Sequence, residues 1–179
     1  MRFILVDNIL ELTPGRRVKA VKYVSPDEDF FRDHFPGFPV VPGVILTEMM
    51  AQTAGKCLDA EDRQRGKSML AKISEACFRD WMRPGETAMI YGEVRKSRPA
   101  FATVACYIKV DDRMLCSAEL FFSFVPIEKF AAGYRDEVLE RYLESPVLTQ
   151  VNGPAQISQQ ANRGAEPFSR TESGDRVSP

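Results

Sequence analysis

Along residues 17–24 apolar and polar positions alternate, with Val18, Ala20, Lys22 and Val24 on one face and Lys19, Val21 and Tyr23 on the other. A period of two is that of a β-strand. The preceding residues 3–12 are rich in branched apolar side chains. Thr13-Pro14-Gly15-Arg16 places proline and glycine at the two central positions of a turn, so the two segments predict a hairpin. From Val41 the period changes. Val44, Ile45, Met49, Gln52, Thr53 and Lys56 cannot line a half-buried strand, and as far as about Leu58 the segment is apolar nearly all round. That predicts a helix buried on most faces. Residues 59–67 are densely charged and read as a solvent loop. Four strand-like segments follow at 68–78, 86–95, 100–110 and 114–126, with turns at Arg83-Pro84-Gly85-Glu86 and Val110-Asp111-Asp112-Arg113. Residues 127–145 predict a second helix, on which Phe130, Tyr134, Val138 and Tyr142 recur every fourth position. Packing of that stripe on the core is the favoured reading; a partner-binding helix is the alternative.

The order is therefore hairpin, one long apolar helix, then an antiparallel meander. A single helix of that character can be covered on several sides only by a sheet that curls around it. This predicts an α+β chain of the hotdog type. Residues 1–126 form the domain, 127–145 a C-terminal helix, and 146–179 a tail. The tail is poor in apolar residues and rich in Gln, Asn, Ser, Gly and Arg, so it is expected to be disordered.

Composition narrows the classes. Over 179 residues the formal net charge is -1, so nothing global points to nucleic acid or an anionic membrane as partner. No apolar run reaches the roughly 20 residues of a membrane span. The N-terminal apolar run is short and interrupted by Asp7, unlike a signal peptide, and a cytoplasmic protein is expected. Cys57, Cys77, Cys106 and Cys116 lack Cys-x-x-Cys spacing, and His34 is the one histidine, so no metal site is expected. The cysteines read as small hydrophobes filling space.

The chemistry gathers in Asp33-His34-Phe35-Pro36-Gly37-Phe38-Pro39-Val40-Val41-Pro42-Gly43-Val44, followed by Ile45-Leu46-Thr47-Glu48. Three prolines stiffen a loop that carries the histidine, and a mostly apolar helix then carries one glutamate. Two readings stand on this pattern. One is a tight turn before a core helix; the other is a general base and general acid pair. Pro42 suits the start of a helix, and Gly43 follows it with an unpaired backbone N–H.

Leu5-Val6-Asp7, His34-Phe35-Pro36-Gly37, Pro39-Val40, Pro42-Gly43-Val44, Glu48, Ala51-Gln52 and Phe78-Arg79…Arg83-Pro84-Gly85 together resemble bacterial 3-hydroxyacyl-acyl carrier protein dehydratases. The match is to the glutamate-bearing branch of that hotdog family, over residues 1–126. The resemblance implies reversible dehydration of a 3-hydroxyacyl thioester to the trans-2-enoyl thioester, without a cofactor, in fatty acid or related acyl-chain synthesis. It implies His34 as base, since imidazole titrates near neutrality, and Glu48 as the acid that protonates the departing hydroxyl. The Gly43 N–H, at the helix N-terminus, would receive the carbonyl oxygen, and Val44, Gln52 and Phe38 would line the site. For Gln52, a buried amide bonded to backbone is an equal reading. The resemblance also implies a homodimer, or an oligomer of dimers, in which His34 of one subunit faces Glu48 of the other.

Three departures stand out. The family commonly has a Leu-Pro-His-Arg element ahead of the first strand, and this sequence begins just past it. Phe38 stands where many members have a polar residue or a second histidine, and residues 127–179 extend beyond the usual end. A specialised paralogue is the expectation. The implied partner is acyl carrier protein, which is acidic. Residues 1–126 carry 18 basic and 17 acidic side chains, so docking would rest on a local cluster, Arg16-Arg17-Lys19 or Arg95-Lys96-Arg98. The rival readings are a hotdog acyl thioesterase and a non-catalytic acyl-binding partner subunit. Chain-length preference depends on residues such as Phe78, Met82 and Phe101, which the sequence does not place.

Overall fold

The computed structural model describes residues 3–129 and 134–144. Its elements run β1 (Asn8–Thr13), β2 (Arg17–Tyr23), α1 (Gly43–Asp59), β3 (Lys67–Phe78), β4 (Thr87–Arg98), β5 (Phe101–Val110), β6 (Arg113–Val125) and α2 (Glu137–Glu144). The six strands form one antiparallel sheet in the order β1-β2-β4-β5-β6-β3. α1 packs against every strand, which is the curled hotdog arrangement the sequence predicts. Its Met49, Met50, Ala54 and Leu58 bury against Ile90, Val104, Ile108, Leu120 and Phe122. No helix among the described residues is long and apolar enough to cross a membrane.

The meander needs correcting. Only β4, β5 and β6 follow one another in space; β3 joins the far edge of the sheet, beside β6. The chain between Phe78 and Thr87 is therefore a crossover to β4, not a hairpin turn. Val41 N–H donates to Met82 O of this crossover at 2.8 Å, tying it to the proline-rich loop. Strand order is a matter of long-range pairing and leaves no local pattern. At the start of β3, Gly66 has φ 96°, and a Cβ there would lie 2.3 Å from Val125 O. Gly66→Ala is expected to cost about 3 kcal/mol from the backbone conformation alone. A lowered urea midpoint at unchanged m-value checks it.

The first strand is shorter than its composition suggests. Leu5 and Val6 are buried but lie outside β1, which begins at Asn8. Residues 3–6 instead dock on α1, as described below. The charged segment 59–67 is not wholly a solvent loop either. Asp59 is buried, accepts from Ser68 N–H at 2.9 Å, and lies 2.5 Å from Lys67 Nζ.

The single helix expected over 127–145 is not formed. A short 3-10 turn occupies Ile127–Lys129, residues 134–136 are non-helical, and α2 begins only at Glu137. The physical cause is Asp136, whose Oδ1 accepts Leu139 N–H at 2.9 Å and so caps a new helix start. Asp136 also pairs with Lys67. Burial opposes its charge, but the Lys67 and Leu139 hydrogen bonds hold its carboxyl below the usual range. Of the expected stripe, Tyr142 is buried and Val138 packs on the core, while Tyr134 is exposed. Phe130 and the tail from Pro146 lie outside the described residues.

Candidate active site

The histidine loop is built by its own backbone. Phe35-Pro36-Gly37-Phe38 closes a turn in which Phe38 N–H donates to Phe35 O at 2.9 Å. Pro36 occupies its first central position, and Gly37, at φ 79°, supplies the positive φ that the second requires. The His34–Phe35 peptide is cis. His34 N–H donates to Phe30 O at 2.9 Å, and Val40 N–H donates to His34 O at 3.0 Å. The His34 ring stacks on Phe35, with centroids 4.0 Å apart.

One contact decides the ring's tautomer. His34 Nδ1 lies 3.1 Å from Val40 O. A carbonyl oxygen only accepts, so Nδ1 must carry the proton and donate. Nε2 is then left with the lone pair, as a base requires.

On α1, Val44, Glu48, Gln52 and Lys56 form a stripe at fourfold spacing that is not fully buried. Val44 is 75% exposed at the start of this stripe. The expectation of a helix buried on most faces therefore holds except along this line, and Glu48 sits on it. Gln52 is held on three sides. Its Oε1 accepts Leu5 N–H at 2.9 Å, and its Nε2 donates to Phe3 O at 3.2 Å and to Glu48 Oε1 at 3.0 Å. A flipped amide would set oxygen against Phe3 O and NH2 against Leu5 N–H, so residues 3–5 fix its orientation. Gln52 must donate to Glu48 Oε1, which favours Oε2 as the oxygen to carry a proton. Gln52 is thus a half-buried amide bonded to backbone, and the same side chain also meets Glu48. Next along the stripe, Lys56 donates to Gln52 O at 3.4 Å. Burial pushes its ammonium down to about 8, against the pull of Asp136, Asp59 and Glu48.

At the helix start, Ile45 N–H donates to Pro42 O at 2.9 Å. Among the described residues, the Gly43 and Val44 N–H groups meet no acceptor, as first-turn donors of a helix do not. The Phe78 ring lies over Gly43, where a Cβ would come within 3.0 Å of it. Glycine is what lets that ring approach the helix end.

His34 and Glu48 are not joined by any hydrogen bond within the chain. Around the loop the structure gathers residues that the sequence left unplaced. Trp81 meets Phe38 edge-on at 5.3 Å, and the Arg83 guanidinium lies 4.9 Å above the Phe38 ring. The crossover brings both there, so only its contact with Val41 could have revealed them. Met82 is fully buried, and Phe101 stacks on Phe121 on the sheet face opposite the core.

The two basic clusters merge. Arg17 lies opposite Glu93 in the β2–β4 register, and Val94 N–H donates to Arg16 O at 2.8 Å, so both clusters lie at one end of the sheet. That end adjoins the C-terminus of α1, where Gly15 N–H donates to Cys57 O. The patch is thus a helix length, about 25 Å, from the histidine loop. Within it Arg95 is paired with Glu93 and Lys19 with Glu11. Beside the loop itself, Arg113 is paired with Asp80 and Glu86. Burial pushes the Cys57 thiol to about 11 and the Cys106 and Cys116 thiols to about 12, which suits space-filling rather than nucleophilic roles. Among the described residues, no three His, Cys, Asp or Glu side chains converge as a metal cluster.

A FabA-like domain family model matches residues 1–119. The chain is 38% identical over 120 residues to 3-hydroxyacyl-[acyl-carrier-protein] dehydratase FabZ of Lactobacillus helveticus, covering 66% of this chain and 81% of that protein. It is 37% identical over 125 residues to FabZ of Bacillus pumilus, covering 69% and 87%. Among solved structures, a chain of the dehydratase heterocomplex ApeI:P from Xenorhabdus doucetiae aligns with TM-score 0.52 at 18% identity, covering 63% of this chain and 92% of that one. A Streptococcus mutans protein bound to acetyl CoA aligns with TM-score 0.55 at 12% identity, covering 66% and 88%. At such identities these two structures speak to the hotdog fold alone.

Proposed function

The chain belongs to the FabA-like domain family, and from that premise we propose that His34 and Glu48 are its base and acid. The reaction is dehydration of a 3-hydroxyacyl-[acyl-carrier-protein], as in the FabZ relatives, in fatty acid biosynthesis. His34 Nε2 takes a proton from C2 as charge builds on the thioester oxygen. The Gly43 N–H, at the positive end of α1, stabilises that charge. Glu48 Oε2 gives its proton to the 3-hydroxyl, the C3–O bond breaks, and water leaves as the C2–C3 double bond forms. Val44 and Phe38 line the approach. The observation that carries this reading is the Nδ1 contact with Val40 O, which presents Nε2 as a base.

The pair is completed across a homodimer. β3 is a 12-residue edge strand, and Met69, Leu70, Ile73 and Phe78 on it are all exposed. A long apolar edge favours pairing with another strand. A second copy seated on β3 would lie beside Gly43, through Phe78, and over the open Val44–Glu48 end of the α1 stripe. It can then supply a histidine to Glu48, which no hydrogen bond joins to His34 of the same chain. The carrier protein, being acidic, docks near the loop at Arg83 rather than at the distant basic patch. Turnover takes place in the cytoplasm.

The reaction is tested by incubating the protein with 3-hydroxyacyl carrier-protein thioesters of several chain lengths. Enoyl thioester should accumulate with no free thiol. Release of thiol in place of enoyl product would instead mark a thioesterase and remove His34 from its assigned role.

A further inference from the structure

We propose that Tyr142 of α2 is a positioning residue for Glu48, acting through residues 3–6 and Gln52; this rests on the reading of Glu48 as the acid. The connection is continuous on named atoms. The Tyr142 hydroxyl donates to Val6 O, a bond between a buried side chain and a buried residue. One residue back, Leu5 N–H donates to Gln52 Oε1, and Phe3 O accepts from Gln52 Nε2. Those two bonds fix the amide so that its remaining N–H meets Glu48 Oε1. Residues 3–6 belong to no strand, and the sheet holds the segment only from Asp7, whose N–H donates to Val21 O at 2.8 Å. Their seat comes from α1 beneath and α2 beside them.

α2 is itself anchored for this. Leu139 is buried, Asp136 pairs with Lys67, and Arg63 lies 3.3 Å from Glu140. The Tyr142 ring faces Lys56 Nζ at 5.2 Å, one helical turn beyond Gln52. α2 lies outside the matched residues 1–119, so this brace is built by the chain's own extension. Loosening residues 3–6 would free the Gln52 amide to rotate and would no longer select which Glu48 oxygen carries the proton. Binding of the acyl chain would be little affected, because neither Tyr142 nor residues 3–6 lie at the open Val44–Glu48 end of the stripe.

The test is a double-mutant cycle on the full chain with a 3-hydroxyacyl carrier-protein substrate. Tyr142→Phe removes one hydrogen bond and is expected to lower kcat about three- to tenfold, the usual net worth of such a bond, with KM nearly unchanged. In a Gln52→Ala background, or Gln52→Met if the alanine variant does not fold, the same change should have no further effect on kcat. Wild-type kcat in Tyr142→Phe, or an equal loss in both backgrounds, would overturn the proposal and leave Tyr142 a purely structural residue. If the wild type forms no enoyl product, the reading of Glu48 falls and takes this proposal with it.

Discussion

His34→Ala is expected to lower kcat for enoyl formation about 10³-fold, within the range that a positioned acid–base group contributes. The loss should fall on kcat more than on KM, because Nε2 engages the substrate proton only as the C2–H bond breaks. The fold should survive. His34 is half-buried, and when the ring's bond to Val40 O is lost the backbone bonds of Phe30, Phe38 and Val40 still hold the loop. Circular dichroism and the melting temperature of the variant should therefore stay close to wild type. Turnover within a few-fold of wild type would remove His34 as base. Glu48→Gln should produce a loss of similar size, since an amide cannot give a proton to the leaving hydroxyl. The amide still has an oxygen to accept Gln52 Nε2–H, so the local hydrogen bonding is preserved and the loss reports chemistry.

The parts of this site that were legible in the sequence are those set by neighbours in the chain. Pro36 and Gly37 dictate the turn, and Pro42 and Gly43 open the helix. The fourfold spacing of Val44, Glu48, Gln52 and Lys56 puts them on one line. The hotdog arrangement followed from one apolar helix among strands of period two. What could not be read was set by contacts across the chain. The place of β3 beside β6 decides which strand is an edge. The crossover from Phe78 to Thr87 carries Trp81 and Arg83 to the loop. Asp136 moves the start of α2 past the point that the apolar spacing suggested, because a capping side chain outweighed a hydrophobic stripe. The tautomer of His34 depended on one carbonyl six residues away, and composition holds no trace of it.

A charge on the exposed edge of β3 should cost nearly as much turnover as removing the base. Ile73 is 46% exposed on that edge, and an aspartate there would have to enter a partner strand's apolar surface without a counter-charge. Ile73→Asp is therefore expected to leave a folded monomer, read by sedimentation, whose Glu48 lacks a histidine. Its kcat should drop to the level of His34→Ala. A monomeric Ile73→Asp with full turnover would sink the shared site, and a dimeric one with full turnover would move the interface off β3. A mixing experiment separates the shared site from a general need for dimerisation. His34→Ala and Glu48→Gln should each be nearly inactive alone, but a mixed dimer would have one site made of the two intact residues and one made of the two altered ones. With free exchange of protomers, half the dimers are mixed and half their sites work, so about a quarter of wild-type turnover should return. If His34 and Glu48 of the same chain formed the site, no mixture could restore activity.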